Sequence, residues 1–140
     1  MSGLVDLEQS LAALDPRVEG TYVYHCVESI PSDVTVFAQI HEPEGITLIL
    51  TLEEAREAGL PASQAFVRIS LGAYTSLSAV GITATIAQTL ASRDIPCNVI
   101  AGFHHDHLFV PSSKAAEAMR LLSDLSVQAA GWLRGHDNIE

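Results

Sequence analysis

Four consecutive residues, His104-His105-Asp106-His107, hold the densest chemistry in the chain: three imidazoles and a carboxylate, all metal-ligand types. On a strand, His105 and His107 face one side and His104 and Asp106 the other, so alternation splits the group. A three-ligand site would then have to recruit a distant residue such as His25 or His41. The favoured reading is a polar hairpin whose Asp holds the turn and orients a neighbouring imidazole. A metal at His105 and His107 is the weaker alternative. Carboxylate pairs at Glu28 with Asp33 and at Glu53 with Glu54 read more simply as a solvated face or the first turn of a helix. His136, in the tail GHDNIE, reads as solvated. Gly-rich phosphate loops, GxSxG and HExxH are absent from the sequence, so neither an enzyme activity nor a cofactor is expected.

Composition limits the partners. A net charge of -10, with only seven Lys and Arg, argues against nucleic acid, which needs a basic footprint. It leaves room for a small anion, because backbone N-H groups at a helix N-terminus attract a carboxylate locally. A hydrophobic fraction of 48% fits a folded domain, yet no uncharged apolar run approaches the roughly 20 residues of a membrane span. Asp6 and Glu8 stand where a signal peptide would be basic, and Cys26 and Cys97 are far apart with no CxxC. The expectation is a cytoplasmic, soluble protein whose reduced cysteines fill core space.

The elements that must position these groups follow from periodicity. Leu4, Leu7, Leu11 and Leu14 recur at helical spacing and predict a helix over about residues 4–14, closed by Asp15-Pro16. Tyr22 to Val27 reads as a strand, and Val34 to Ile40 with Ile46 to Leu50 as a hairpin around Glu42-Pro43-Glu44-Gly45. Thr51 caps a short helix that ends at Gly59. In Ala65 to Leu71, Ala65, Val67, Ile69 and Leu71 point one way and Phe66, Arg68 and Ser70 the other. A helix follows near 80–92, then two strands, IPCNVIAGF and LFVP, then a helix near 113–125. This β-α-β-β-α order predicts an α+β, ferredoxin-like layer. Both helices pack on one face of an antiparallel sheet through Ile82, Ile86, Leu90, Met119 and Leu122, in two sheets or one shared sheet.

The run SLSAVGITATIAQTLASRDIPCNVIAGFHHDHLFVP, Ser76 to Pro111, resembles the core of a family of small, uncharacterised ACT-domain proteins, and EGITLIL, Glu44 to Leu50, resembles that family's first-half hairpin. The arrangement is more distantly similar to the paired regulatory ACT modules of aspartokinase and of eukaryotic arginine sensors. The chain departs from the family pattern between Ile30 and Val34, where the segment before the second strand is short. The resemblance implies tandem βαββαβ modules: a degenerate N-terminal one over residues 1–62 and a clearer C-terminal one over 63–140. It also implies a homodimer and a small-molecule ligand, an amino acid.

In ACT modules ligands sit where the first strand turns into the first helix, against the following strand. That maps to Ser76, Ser78, Ala79, Val80, Gly81 and Ile82, with Asn98, Val99 and Ile100 opposite. The chemistry suits a carboxylate: a serine cap, free N-H groups in the first turn, a glycine permitting close approach and an amide with donors and an acceptor. Each has a plainer role too, Asn98 as a strand-to-loop tie and Gly81 as close helix-sheet packing. Three functions therefore stay open: a non-catalytic amino-acid sensor, a structural dimerisation or adaptor module, and a metal-dependent enzyme using His104 to His107.

Overall fold

The computed structural model describes residues 3–72 and 80–137. Their order is α1 (Gly3–Ala12), β1 (Pro16–Val27), β2 (Ala38–Glu42), β3 (Gly45–Thr51), α2 (Leu52–Glu57), β4 (Phe66–Leu71), α3 (Ile82–Ala91), β5 (Asn98–Ala101), β6 (Asp106–Pro111), a short 3-10 turn (Ser112–Lys114) and α4 (Ala115–Asp137). The strands form one sheet, β2-β3-β1-β4-β6-β5, with every neighbour antiparallel. Of the two arrangements expected, the shared sheet is the one formed.

This order contains two ferredoxin-like sets that overlap. β4-β1-β3-β2 is the strand order of a first module, and β1-β4-β6-β5 that of a second. β1 and β4 therefore serve both modules, each closing the sheet that the other begins. Residues 28–37, where a first helix of the first module would stand, contain no helix.

Register decides what each face holds. Val23 pairs with Leu50, Thr21 with Val67, Val67 with Val110 and Ile69 with Leu108, so these residues share one face. All four α-helices pack there. Ile82, Ile86, Leu90, Ala118 and Leu122 of α3 and α4 are buried with Ile69, Leu71, Leu108 and Val110, and Met119 packs beside them. Ala55 of α2 is buried with Val23, Leu48 and Leu50. The cap of α2 is the expected one: Thr51 Oγ1 accepts from the Glu54 backbone N-H at 3.1 Å, and Gly59 has φ +71° just past the end.

Two helices differ from the sequence reading. α1 ends at Ala12, and its Leu11 and the following Leu14 join the α3/α4 cluster. α4 runs on to Asp137 rather than stopping near 125, because α1 gives its second half an apolar partner. Ala129 is buried, and Ser126 Oγ donates to the Ala12 carbonyl at 2.8 Å.

The strands also differ. β1 starts at Pro16, well before Tyr22, and carries Gly20 through a register shift between Val18 and Gly20. β2 covers only Ala38–Glu42, while Val34 and Val36 pack from the preceding loop against the α2 cluster. The apolar runs ITLIL and LFV lie in interior strands; the edges are β2 and β5. Cys26 is exposed, so only Cys97 is partly inside. Burial pushes the Cys97 thiol up to about 11. We expect Ellman's reagent at pH 8 to label Cys26 quickly and Cys97 only on unfolding; equal rates would contradict this placement.

Candidate functional site

The other face of the sheet, helix-free among the described residues, gathers the aromatic residues. Tyr22, Ile49 and Phe109 are buried there, with Tyr24, Phe37, Phe66 and Ile100 packed around them. Phe37 is held beside β3 by its backbone N-H, which donates to the Ile49 carbonyl at 2.8 Å, yet its ring lies 5.0 Å from that of His107 on β6. In a flat sheet these strands would stand about 14 Å apart at ~4.8 Å per strand, so the sheet curls over this side. Edge-to-face pairs join Phe109 to Tyr22, Tyr24 and Phe37.

A charged group sits inside this aromatic surface. The Arg68 side chain, 15% exposed, lies under the Phe37 ring at 4.3 Å and beside Tyr22 at 5.1 Å, stacked as a guanidinium prefers. Its Nη1 donates to the Tyr22 hydroxyl. Its Nη2 comes only within 3.7 Å of Glu19 Oε2, and its Nε is buried without a hydrogen-bond partner. The β1 register shift makes this pairing possible by bringing Glu19 to the Arg68 side of the sheet, where Ser70 Oγ donates to Glu19 Oε1 at 2.8 Å.

Beside this pair opens a cavity of 320 Å³, lined by Arg17, Glu19, Arg68, Ser70, Leu71, Gly72, His105 and His107. Burial, then Arg68, then His105 hold the His107 imidazole below its ordinary pKa, against the weaker pull of Asp106 and Glu19. His107 is thus neutral near pH 7, and its Nδ1 is buried without a hydrogen-bond partner. A larger cavity, 460 Å³, lies on the helix side between β1, α2 and residues 59–65; its lining includes His25 and Arg56 but no acid.

Among the described residues, the expected ligand positions do not all lie on one side of the sheet. Ser76, Ser78 and Ala79 lie outside the described residues. α3 begins at Ile82 with Gly81 at its N-cap, φ +98°, so no serine takes that position. Val80 is exposed, whereas Ile82 is buried in the helix-side core. A side chain at Gly81 would meet Leu7 of α1 at 3.4 Å. Val99 pairs with Leu108 and packs on the helix side, while Asn98 pairs with Phe109 and Ile100 with His107, which puts those two on the helix-free face. The sheet therefore stands between α3 and the side chains of Asn98 and Ile100.

The histidines part from the alternation read in the sequence, because β6 begins only at Asp106 and His104 and His105 lie in the preceding turn. The turn closes through the Gly102 N-H donating to the His105 carbonyl at 2.9 Å, an approach that a side chain at Gly102 would block. Among the described residues no three His, Cys, Asp or Glu side chains are grouped to hold a metal ion. His105 and His107 share their cavity with two guanidiniums, whose charge opposes a cation.

Sequence reasoning missed Arg68, Glu19 and Ser70. A signal was present: an arginine between Phe66 and Ser70 on the second face of a strand, in a chain with few cations.

The two halves of the chain each match a family model described as an ACT domain, over residues 2–67 and 63–124. Among solved structures, a Vibrio cholerae protein of unknown function, described as a possible transport protein, is 41% identical, with a TM-score of 0.77 over 89% of this chain and 99% of its own. An Agrobacterium tumefaciens protein is 17% identical, with a TM-score of 0.65 over 81% of this chain and 89% of its own. The regulatory subunit of aspartate kinase from Thermus thermophilus, in its ligand-free form, is 13% identical, with a TM-score of 0.61 over 81% of this chain and 97% of its own. No functionally curated protein matches the chain. The chain belongs to the ACT-domain family and carries two such domains in tandem. Membership supports a regulatory, ligand-binding role. Among the described residues no helix is long and apolar enough to cross a membrane.

Proposed function

We propose that this chain is a regulatory sensor that binds an amino acid, has no catalytic activity of its own, and works as a homodimer in the cytoplasm. The observation that carries the reading is the sharing of β1 and β4 by both ACT modules. A ligand that touches either strand acts on two modules at once, and binding becomes regulatory when it changes how such parts sit together. The division of the sequence into modules at residues 62 and 63, each lending one strand, β1 or β4, to the sheet of the other, is part of the proposal. So is the dimer, for which the support is the edge strand β2, whose outer side pairs with no strand among the described residues and which carries the exposed Ile40.

A thermal-shift panel of the common amino acids tests the reading. A ligand present at 100 times its Kd adds about 2.7 kcal/mol to stability, so one amino acid should raise Tm by several degrees. A flat response to the whole panel from a protein that self-associates is the outcome of the second reading, a structural dimerisation module. Sedimentation at micromolar concentration checks the dimer itself. The expected mass is twice that of the chain, and a monomer counts against it.

A further inference from the structure

We propose that the amino-acid head group binds on the helix-free face, in the cavity between β1, β4 and β6, with its carboxylate on Arg68 and its ammonium on Glu19. The inference rests on the amino-acid reading for the class of ligand and adds the place and mode of binding.

Arg68 carries an incompletely compensated charge. A nearly buried guanidinium is costly unless its donors are paired. Among the described residues Arg68 has one hydrogen bond, to Tyr22, and an approach to Glu19 too long to be a second. A carboxylate entering the adjoining cavity supplies the missing acceptor at Nη2, and a charge-assisted bond there is stronger than the loose ion pair it supplements. Arg17, at the cavity wall, adds a second cation, although Asp15 already engages it at 2.7 Å.

Glu19 sets the class of ligand. Its Oε1 accepts from Ser70 and its Oε2 makes only the 3.7 Å approach, so the carboxylate keeps unused acceptor capacity toward the cavity. A dianion such as phosphate or succinate would meet repulsion from Glu19. A zwitterion meets attraction at both ends, negative group to Arg68 and positive group to Glu19. The cavity of 320 Å³ has room for an amino acid, and its mostly polar lining favours a small or polar side chain over a large apolar one. The 460 Å³ helix-side cavity lacks an acid in its lining to receive the ammonium, and in the 580 Å³ cavity beside Thr51 both charged groups, Glu53 and Arg56, are exposed.

The site also lies on the seam of the fold. Glu19 belongs to β1 and Arg68 to β4, the two strands that both modules use. A head group bridging Glu19 and Arg68 touches both shared strands at once, on the concave side of the sheet.

The test is titration calorimetry of the full chain with each common amino acid, then of Glu19→Gln and Arg68→Lys with whichever amino acid binds the parent. Both variants should keep the parent's circular dichroism. Glu19→Gln removes the charge facing the ammonium, and Arg68→Lys keeps a cation while removing the planar donors. Each should weaken binding at least tenfold. Because Arg68 also stacks on two rings, Glu19→Gln is the safeguard should Arg68→Lys misfold. If a folded variant binds within twofold of the parent, the site is wrong, and loss in Gly81→Asp instead would return the ligand to the start of α3. If no amino acid binds the parent, the reading and the site fall together.

Discussion

Ile86→Asp should abolish the cooperative thermal transition of the whole chain. Ile86 is 1% exposed, packed on α3 among aliphatic residues of α4 and the sheet. The substitution forfeits about 1.5–3 kcal/mol of side-chain burial. It also requires either an unpaired carboxylate in an apolar core or protonation of that group, costing several kcal/mol more. The sum approaches the roughly 5–15 kcal/mol that holds a whole domain together. Loss should spread beyond the C-terminal half, because β1 and β4 belong to both modules. Ile86→Val, which trims one methylene, should cost only about 0.5–1.5 kcal/mol. A soluble Ile86→Asp protein with a native circular dichroism spectrum and an unchanged melting curve would contradict this packing.

The second large effect is expected on the opposite face. Phe109 is fully buried although no helix packs on its side among the described residues, since the curl of the sheet and the Phe37 ring enclose it. Phe109→Ala should cost about 3–5 kcal/mol. For a chain of this size that lowers Tm by about 10 °C or more. The same cavity should loosen the rings that hold Arg68, so amino-acid affinity should fall with stability. An open, solvated face would predict the reverse, a change of a few degrees at most. Chemical denaturation monitored by far-ultraviolet circular dichroism separates the two outcomes.

Much of the fold was legible where local chemistry and packing agree. The two faces of β4 follow from strict alternation, and the register places Val67 and Ile69 against the helices and Phe66, Arg68 and Ser70 away from them. The cap at Thr51 and the stop at Gly59 rest on hydroxyl and glycine chemistry that acts within a few residues. α4 was underestimated because its second half depends on α1, more than a hundred residues away in the chain. The first part of β1 is harder to read because a glycine and a proline are both unfavourable in a strand, while the register shift accommodates Gly20 and the strand start accommodates Pro16.

The candidate site was less legible for a related reason. Period-two alternation shows that Asn98 and Ile100 share a side and Val99 takes the other. Only pairing with β6 decides which side faces the helices. Glu19 and Arg68 are 49 positions apart in the sequence. Their approach depends on one extra residue in β1, which no local pattern announces.

Equilibrium dialysis of the unmodified protein against each common amino acid tests most directly whether this tandem ACT chain binds one. One amino acid, small or polar, should be retained in excess on the protein side and saturate at one molecule per chain. Equal concentrations on both sides of the membrane for every amino acid tried would contradict it.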